Sequence, residues 1–73
     1  MASPSIVFGR RVRELREQRG WTQEALAVKC GRHWTYVGGI ERGERNPTLR
    51  VICDLAQALG VAVRELFPER GAR

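Results

Sequence analysis

GRHWTYVGGIERGERN, residues 31–46, is the most informative stretch of this sequence. Tyr36, Val37 and Ile40 are apolar and spaced three and four residues apart, so they predict one face of a short helix. The other face is expected to carry His33, Trp34, Thr35, Gly38 and Gly39. This set is unusual for a surface that only contacts solvent, and we interpret residues 32–39 as the segment presented to a partner.

A second short helix is predicted immediately before this stretch, from Thr22 to Cys30. Thr22 is a favourable N-cap, and Gly31 is suited to end the helix in the left-handed conformation. Two short helices joined by a tight turn that contains glycine form a helix-turn-helix motif. The spacing alone therefore predicts this motif.

Further helical patterns flank the motif on both sides. The first runs to Gly20, and its shared face carries Phe8, Val12, Leu15 and Arg19. The other follows Asn46-Pro47, begins after Thr48 and ends at Gly60. Its expected buried positions are Leu49, Ile52, Leu55, Ala56 and Leu59. A last short helical turn is predicted over residues 62–67.

These patterns together predict an all-α fold with five short helices around one core. The 73 residues are enough for one small domain. We expect residues 1–5 to form a flexible N-terminal tail, residues 6–68 the domain, and residues 69–73 a frayed C-terminal tail.

Composition indicates the kind of partner. The formal net charge is +5, and Lys29 is the only lysine among the cationic side chains. Arginine suits phosphate and guanine edges, so the balance favours a polyanion, although solvated arginines would give the same count. No apolar run approaches the roughly 20 residues that span a membrane, and the opening MASPSIVFG lacks signal-peptide features. We expect a cytoplasmic protein without membrane contact.

The sequence offers little for catalysis or metal binding. Cys30 and Cys53 are expected to be unpaired thiols that act as small hydrophobes, with a disulfide as the alternative. One histidine beside two cysteines is too few for a zinc site. Neither a suitably placed acid pair nor a glycine-rich phosphate loop is present, so we expect no enzyme activity, cofactor or small-molecule ligand.

The segments TQEALAVKCGRHWTYVGGIERGERNPTL, residues 22–49, and LAQALGVAVRELF, residues 55–67, resemble the lambda-repressor-like (XRE/Cro-type) helix-turn-helix family. The most specific part is IERGERNP, residues 40–47, together with Gln23 just inside the second helix. Residues 35–46 resemble the restriction-modification controller proteins within that family. The resemblance implies a compact five-helix domain and a sequence-specific DNA-binding transcriptional regulator. It would act as a homodimer on a pseudo-palindromic operator.

The resemblance also implies a set of DNA contacts, with residues 33–40 as the recognition helix in the major groove. The implied contact residues are Gln23, Arg32, His33, Trp34, Thr35, Tyr36, Gly39, Arg42, Arg45 and Asn46. Gln23 would bind a phosphate and support the recognition helix. Thr35 would meet base edges through its hydroxyl and methyl groups. Arg42, Arg45 and Asn46 would bind phosphates, which makes the affinity salt-dependent.

Several of these positions have open interpretations. Trp34 departs from the polar residue usual in the family; its indole could pack on thymine methyls, pack on a deoxyribose, or fold back onto the domain. The ring of Tyr36 could pack inside while its hydroxyl reaches a phosphate. His33 could cap the helix or contact a phosphate. Gly39 could allow close approach of the backbone to DNA, or simply provide no base contact.

Two structural features complete what the resemblance implies. Arg16 and Glu41 match a pair that forms a salt bridge in the family. The dimer surface is expected in the last turn, although the same residues could instead complete the core: Val61, Val63, Leu66 and Phe67. An antitoxin or a protein-interaction adaptor, which would bind a partner protein through this apolar end, is the alternative function.

Overall fold

The computed structural model describes residues 3–67, and within them it contains helices and no strand. The elements are α1 (Pro4–Gln18), α2 (Gln23–Cys30), α3 (Trp34–Glu41) and α4 (Leu49–Leu59), followed by a 3₁₀ turn (Val63–Leu66). The predicted all-α class is confirmed. The predicted fifth helix is instead this single turn, in which hydrogen bonds such as that from the Glu65 N–H to the Ala62 carbonyl (2.9 Å) span only three residues.

Side-chain caps define where the helices begin. Thr22 and Thr48 cap α2 and α4 as predicted, each accepting a hydrogen bond from a backbone N–H three residues on. Ser3 caps α1 in the same way, and Pro4 occupies the first helical turn, where its missing N–H costs nothing. The predicted tail over residues 1–5 was therefore wrong for residues 4 and 5. Residues 1–2 and the predicted tail at 69–73 lie outside the described residues.

The core draws on all four helices and on the 3₁₀ turn. Its most deeply buried side chains are Leu26, Ile40, Leu55, Leu66, Val12 and Val37. Leu66 is 0 % exposed, so its assignment to a dimer surface was wrong: the last turn folds inward and this side chain closes the core. Phe67 remains 48 % exposed beside it, while Val61 and Val63 are partly buried against the core.

The buried face of α4 differs in part from the sequence prediction, since Val51 is buried and Ile52 is only partly buried. Leu49 is 73 % exposed, because it lies off the helix face formed by the buried Val51, Leu55 and Leu59. Cys53 is exposed, whereas Cys30 is buried, and both thiols are unpaired, as expected. Burial raises the pKa of the Cys30 thiol, which therefore packs as a neutral, small apolar group.

A glycine lets α1 lie directly against the end of α3. A Cβ built on Gly9 would overlap the carbonyl oxygen of Ile40 and lie 2.9 Å from that of Glu41. Since both neighbours are backbone atoms, neither can move aside without shifting a helix. This close approach fixes how α1 packs against the end of α3.

Candidate nucleic-acid interface

The turn between α2 and α3 sets the orientation of α3. Gly31 adopts the left-handed conformation predicted for it, with φ at 70°. The Arg32 N–H donates to the Ala27 carbonyl at 2.9 Å and closes the turn. His33 then caps α3: its Nδ1 accepts from the Thr35 N–H at 3.2 Å and lies 2.8 Å from the Thr35 hydroxyl. When the ring is neutral, the proton therefore resides on Nε2.

Trp34 and Thr35 are exposed in the first turn of α3. The Trp34 ring stacks on the His33 ring, with centroids 6.1 Å apart and planes 26° apart. Trp34 is 48 % exposed and does not belong to the core, so the interpretation that it folds back onto the domain was wrong. The first turn of α3 thus presents two adjacent aromatic rings and a threonine to the outside.

Gly38 and Gly39 lie one turn after Trp34 and Thr35 on the same side of α3, but they are not exposed, although the sequence interpretation expected them to be. Both are buried beneath long side chains that fold over the helix. A Cβ on Gly38 would lie 3.1 Å from Arg42 Nη1 and 3.3 Å from Gln23 Oε1, and one on Gly39 would lie 3.1 Å from Arg45 Cγ. Gly39 is therefore covered by Arg45 and is not available for backbone contact with DNA in this arrangement.

A buried ion pair holds α3 against α1 and α2. Arg16 and Glu41 form the pair that the resemblance implied, with Nε donating to Oε2 at 2.6 Å and Nη2 to Oε1 at 3.0 Å. Nη1 of Arg16 donates to the Trp21 carbonyl at 2.7 Å. The hydrogen bond to Glu41 raises the pKa of the Arg16 guanidinium further, despite its desolvation. Gln23 joins the network by donating from Nε2 to Glu41 Oε1 at 3.0 Å, which supports α3 from the start of α2.

The basic side chains beyond α3 have partners within the protein. The exposed Arg42 makes two hydrogen bonds to Glu44, at 3.0 and 3.1 Å. This contact lowers the pKa of Glu44 and raises that of Arg42. The guanidinium carbon of Arg45 lies 5.4 Å from the centroid of the partly buried Tyr36 ring. Asn46 Oδ1 accepts from the Ser5 hydroxyl at 2.6 Å.

The guanidinium of Arg32 is paired with a carboxylate on α4. Its Nη2 donates to Asp54 Oδ2 at 2.7 Å, and Arg50 Nε approaches the other carboxylate oxygen at 3.6 Å. The pair ties the α2–α3 turn to α4. The Arg32 guanidinium is therefore engaged by a carboxylate of α4 and would have to leave Asp54 to contact DNA.

We use the name α3 surface for the predicted residues that the structure does bring together. They are His33, Trp34, Thr35, Tyr36, Arg42 and Arg45. Sequence reasoning missed the roles of Gly38 and Gly39, which provide room for the side chains that fold over α3. Within residues 3–67, no helix could span a membrane and no cluster of His, Cys, Asp or Glu could hold a metal ion.

Comparison with known proteins shows the family. The sequence model of the helix-turn-helix domain matches residues 7–68. The chain belongs to the helix-turn-helix domain family. The crystal structure of the restriction-modification controller protein C.AhdI from Aeromonas hydrophila is similar, with a TM-score of 0.85 and 51 % identity; the match covers 86 % of this chain and 96 % of that one.

Curated relatives of this helix-turn-helix protein are regulators by name. Control protein C.BamHI of Bacillus amyloliquefaciens is 42 % identical over 63 residues, 85 % of this chain and 78 % of the relative. The uncharacterized HTH-type transcriptional regulator YazB of Bacillus subtilis is 40 % identical over 62 residues, 85 % of this chain and 90 % of the relative. The predicted resemblance to XRE-type regulators, controller proteins included, is confirmed.

Proposed function

We propose that this protein is a sequence-specific transcriptional regulator that binds DNA as a homodimer on a pseudo-palindromic operator. The observation that carries this proposal is the α3 surface. The exposed first turn of α3 carries Trp34 and Thr35, Arg42 and Arg45 follow at the end of the helix, and a buried ion pair anchors this helix. Such rigid support lets a short helix enter the major groove in one orientation.

Some residues of the α3 surface would contact bases, and others would contact the phosphates of the DNA backbone. Trp34 and Thr35 would face base edges in the major groove. Arg42 and Arg45 would bind phosphates, as would His33 through its Nε2–H. Because Glu44 and Arg42 are both exposed, a phosphate can replace Glu44 as the partner of that guanidinium. Gln23 would act mainly by supporting α3 through Glu41.

Homodimerisation would place two copies of α3 in successive major grooves, about 34 Å apart. The dimer surface proposed here contains Val61, Val63 and Phe67, without Leu66. Phe67 borders a largely apolar groove that Phe8 and Ile52 also line, which makes this end of the molecule suited to an apolar contact. The controller-protein relatives favour control of a restriction-modification system as the biological role, with DNA in the cytoplasm as the target.

Selection from random duplex DNA with the purified full chain tests this proposal. We expect a palindrome with half-sites about one helical turn apart, and a loss of affinity in Thr35→Ala. Titration of the selected site at several salt concentrations should give a steep dependence. Arg42→Ala should reduce the slope by about one.

Arg13→Ala is the matched control, since Arg13 is also exposed and paired with a neighbouring glutamate, Glu17, at 3.0 Å. It should leave the salt slope unchanged. Recovery of no common sequence, with weak binding to any duplex, would contradict the proposal. The alternative of a protein-binding adaptor or antitoxin would then be tested at Val61, Val63 and Phe67.

A further inference from the structure

The first turn of α3 holds an aromatic side chain in a fixed, outward position. Trp34 is 48 % exposed, and one face of its ring stacks on His33. His33 is itself held by its two contacts with Thr35, through the backbone N–H and the hydroxyl. The indole is therefore positioned by a ring that the helix anchors, and this arrangement reduces the entropy lost when it binds a ligand.

The polar side chains that lie over Gly38 and Gly39 on α3 are already engaged with protein partners. Arg42 is bonded to Glu44, and Gln23 donates to Glu41. Arg45 lies over the ring of Tyr36. A side chain that reads a base by hydrogen bonding would have to leave such a partner, whereas Trp34 contacts a base without breaking any hydrogen bond within the protein.

The chemistry of indole limits what Trp34 reads. Its single N–H is only a donor, so it cannot form the paired contact that arginine makes with the O6 and N7 atoms of guanine. Its faces are apolar. In the major groove, the apolar group that distinguishes one base from the others is the C5-methyl of thymine.

We propose that Trp34 reads the C5-methyl group of a thymine, so that each half-site carries a thymine opposite the first turn of α3. This inference rests on the proposed function, since it requires α3 to enter the major groove. Thr35 lies next to Trp34, but its hydroxyl is engaged with His33 Nδ1, and we assign the contact with the methyl group to the larger apolar face of Trp34. A 5-methylcytosine at that position, which carries the same methyl group, is expected to be bound in the same way.

Replacing thymines of the selected operator one at a time by deoxyuridine tests the inference, because deoxyuridine lacks only the methyl group. Burying one methyl is worth about 0.8 kcal/mol, which corresponds to an about four-fold change in Kd. We expect a loss of this size at one position in each half-site for the unmodified protein. Trp34→Ala should bind the thymine and deoxyuridine sites equally well.

Two further variants sharpen the test. Trp34→Phe keeps an apolar ring but removes the N–H, and it should retain the preference for thymine. Val28→Ala is the matched control, since Val28 is 81 % exposed on α2 and outside the α3 surface, and it should retain the full preference. In a site with cytosine at the same position, 5-methylation should restore about four-fold in affinity for the unmodified protein but not for Trp34→Ala.

The outcomes separate this inference from the proposed function. An operator that is recovered but whose affinity is unchanged by every deoxyuridine replacement would overturn the reading of thymine by Trp34. An equal loss in the unmodified protein and in Trp34→Ala would also overturn it, because the methyl would then be sensed by another group or through DNA shape. Failure to recover any operator would instead refute the proposed function, and this inference with it.

Discussion

At the scale of single residues, Arg16 is the side chain on which the α3 surface most depends. It donates to both oxygens of Glu41 and to the Trp21 carbonyl, so it links α1, the start of α2 and the end of α3. The family resemblance predicted its pairing with Glu41. The resemblance also implied that Gln23 supports α3, but not that Glu41 is its partner. The contribution of the Trp21 carbonyl was not predictable, because it depends on how the helices meet rather than on any local pattern.

Removing Arg16 should destabilise the protein strongly. In Arg16→Ala the carboxylate of Glu41 would stay buried with only the Gln23 amide as a partner, and breaking a buried pair from one side costs about 3–5 kcal/mol. Urea denaturation measures this change in the free energy of unfolding. Arg13→Ala removes an exposed pair and should cost no more than about 0.5 kcal/mol. Equal stability of the two variants would show that the buried network contributes little.

The two cysteines should differ in reactivity because one is buried and the other exposed. Iodoacetamide should modify Cys53 rapidly in the folded protein and Cys30 only after opening of the core, which mass spectrometry resolves by site.

The raised pKa of Cys30 also makes the stability of the protein depend on pH. The stabilising effect of the buried thiol is complete below the pKa of the unfolded thiol, about 8.5, and is lost as the pH rises through the folded value. Cys30→Ala should remove this alkaline loss of stability, whereas Cys53→Ala should not.

At the scale of elements, the sequence predicted those helix ends that depend on residues close together in the chain. Thr22, Gly31, Thr48 and Gly60 correctly placed the ends of α2 and α4, because capping depends on neighbours in the chain. The burial of Gly38 and Gly39 could not be predicted from periodicity. Their exposure depends on long side chains that reach over α3 from other positions, and such tertiary contacts leave no local pattern.

Gly9 allows a test of how closely α1 and α3 pack. Gly9→Ala should lower the stability by about 1–3 kcal/mol, because the new methyl group meets the backbone carbonyl of Ile40 and the helices must separate. Gly38→Ala is the matched control. It gains the same helix propensity, and its methyl group would meet the ends of flexible side chains that can move aside. If thermal unfolding showed equal losses for the two variants, close helix packing would not explain the effect at Gly9.

At the scale of the whole molecule, the fold separates two surfaces with different chemistry. The α3 surface combines arginines with exposed rings, whereas the groove beside Phe67 is mainly apolar. The family resemblance pointed to both regions of the chain but could not divide the last turn between core and surface. Leu66 and Phe67 are adjacent and similar in hydrophobicity, and only the three-dimensional turn buries one and exposes the other.

Phe67→Glu tests whether this exposed end mediates dimerisation. The substitution would bring a carboxylate into an apolar interface, where its desolvation is unfavourable, so the dimer should weaken by at least ten-fold in Kd. Sedimentation equilibrium measures this constant, and Val28→Glu, at another exposed apolar position, is the control. Phe67 also contacts Phe8, with ring centroids 5.1 Å apart, so thermal unfolding must show that the variant still folds. A folded Phe67→Glu protein that dimerises normally would place the dimer surface elsewhere. If it dimerises weakly, operator binding should shift to higher protein concentration in parallel, because each half-site requires one subunit.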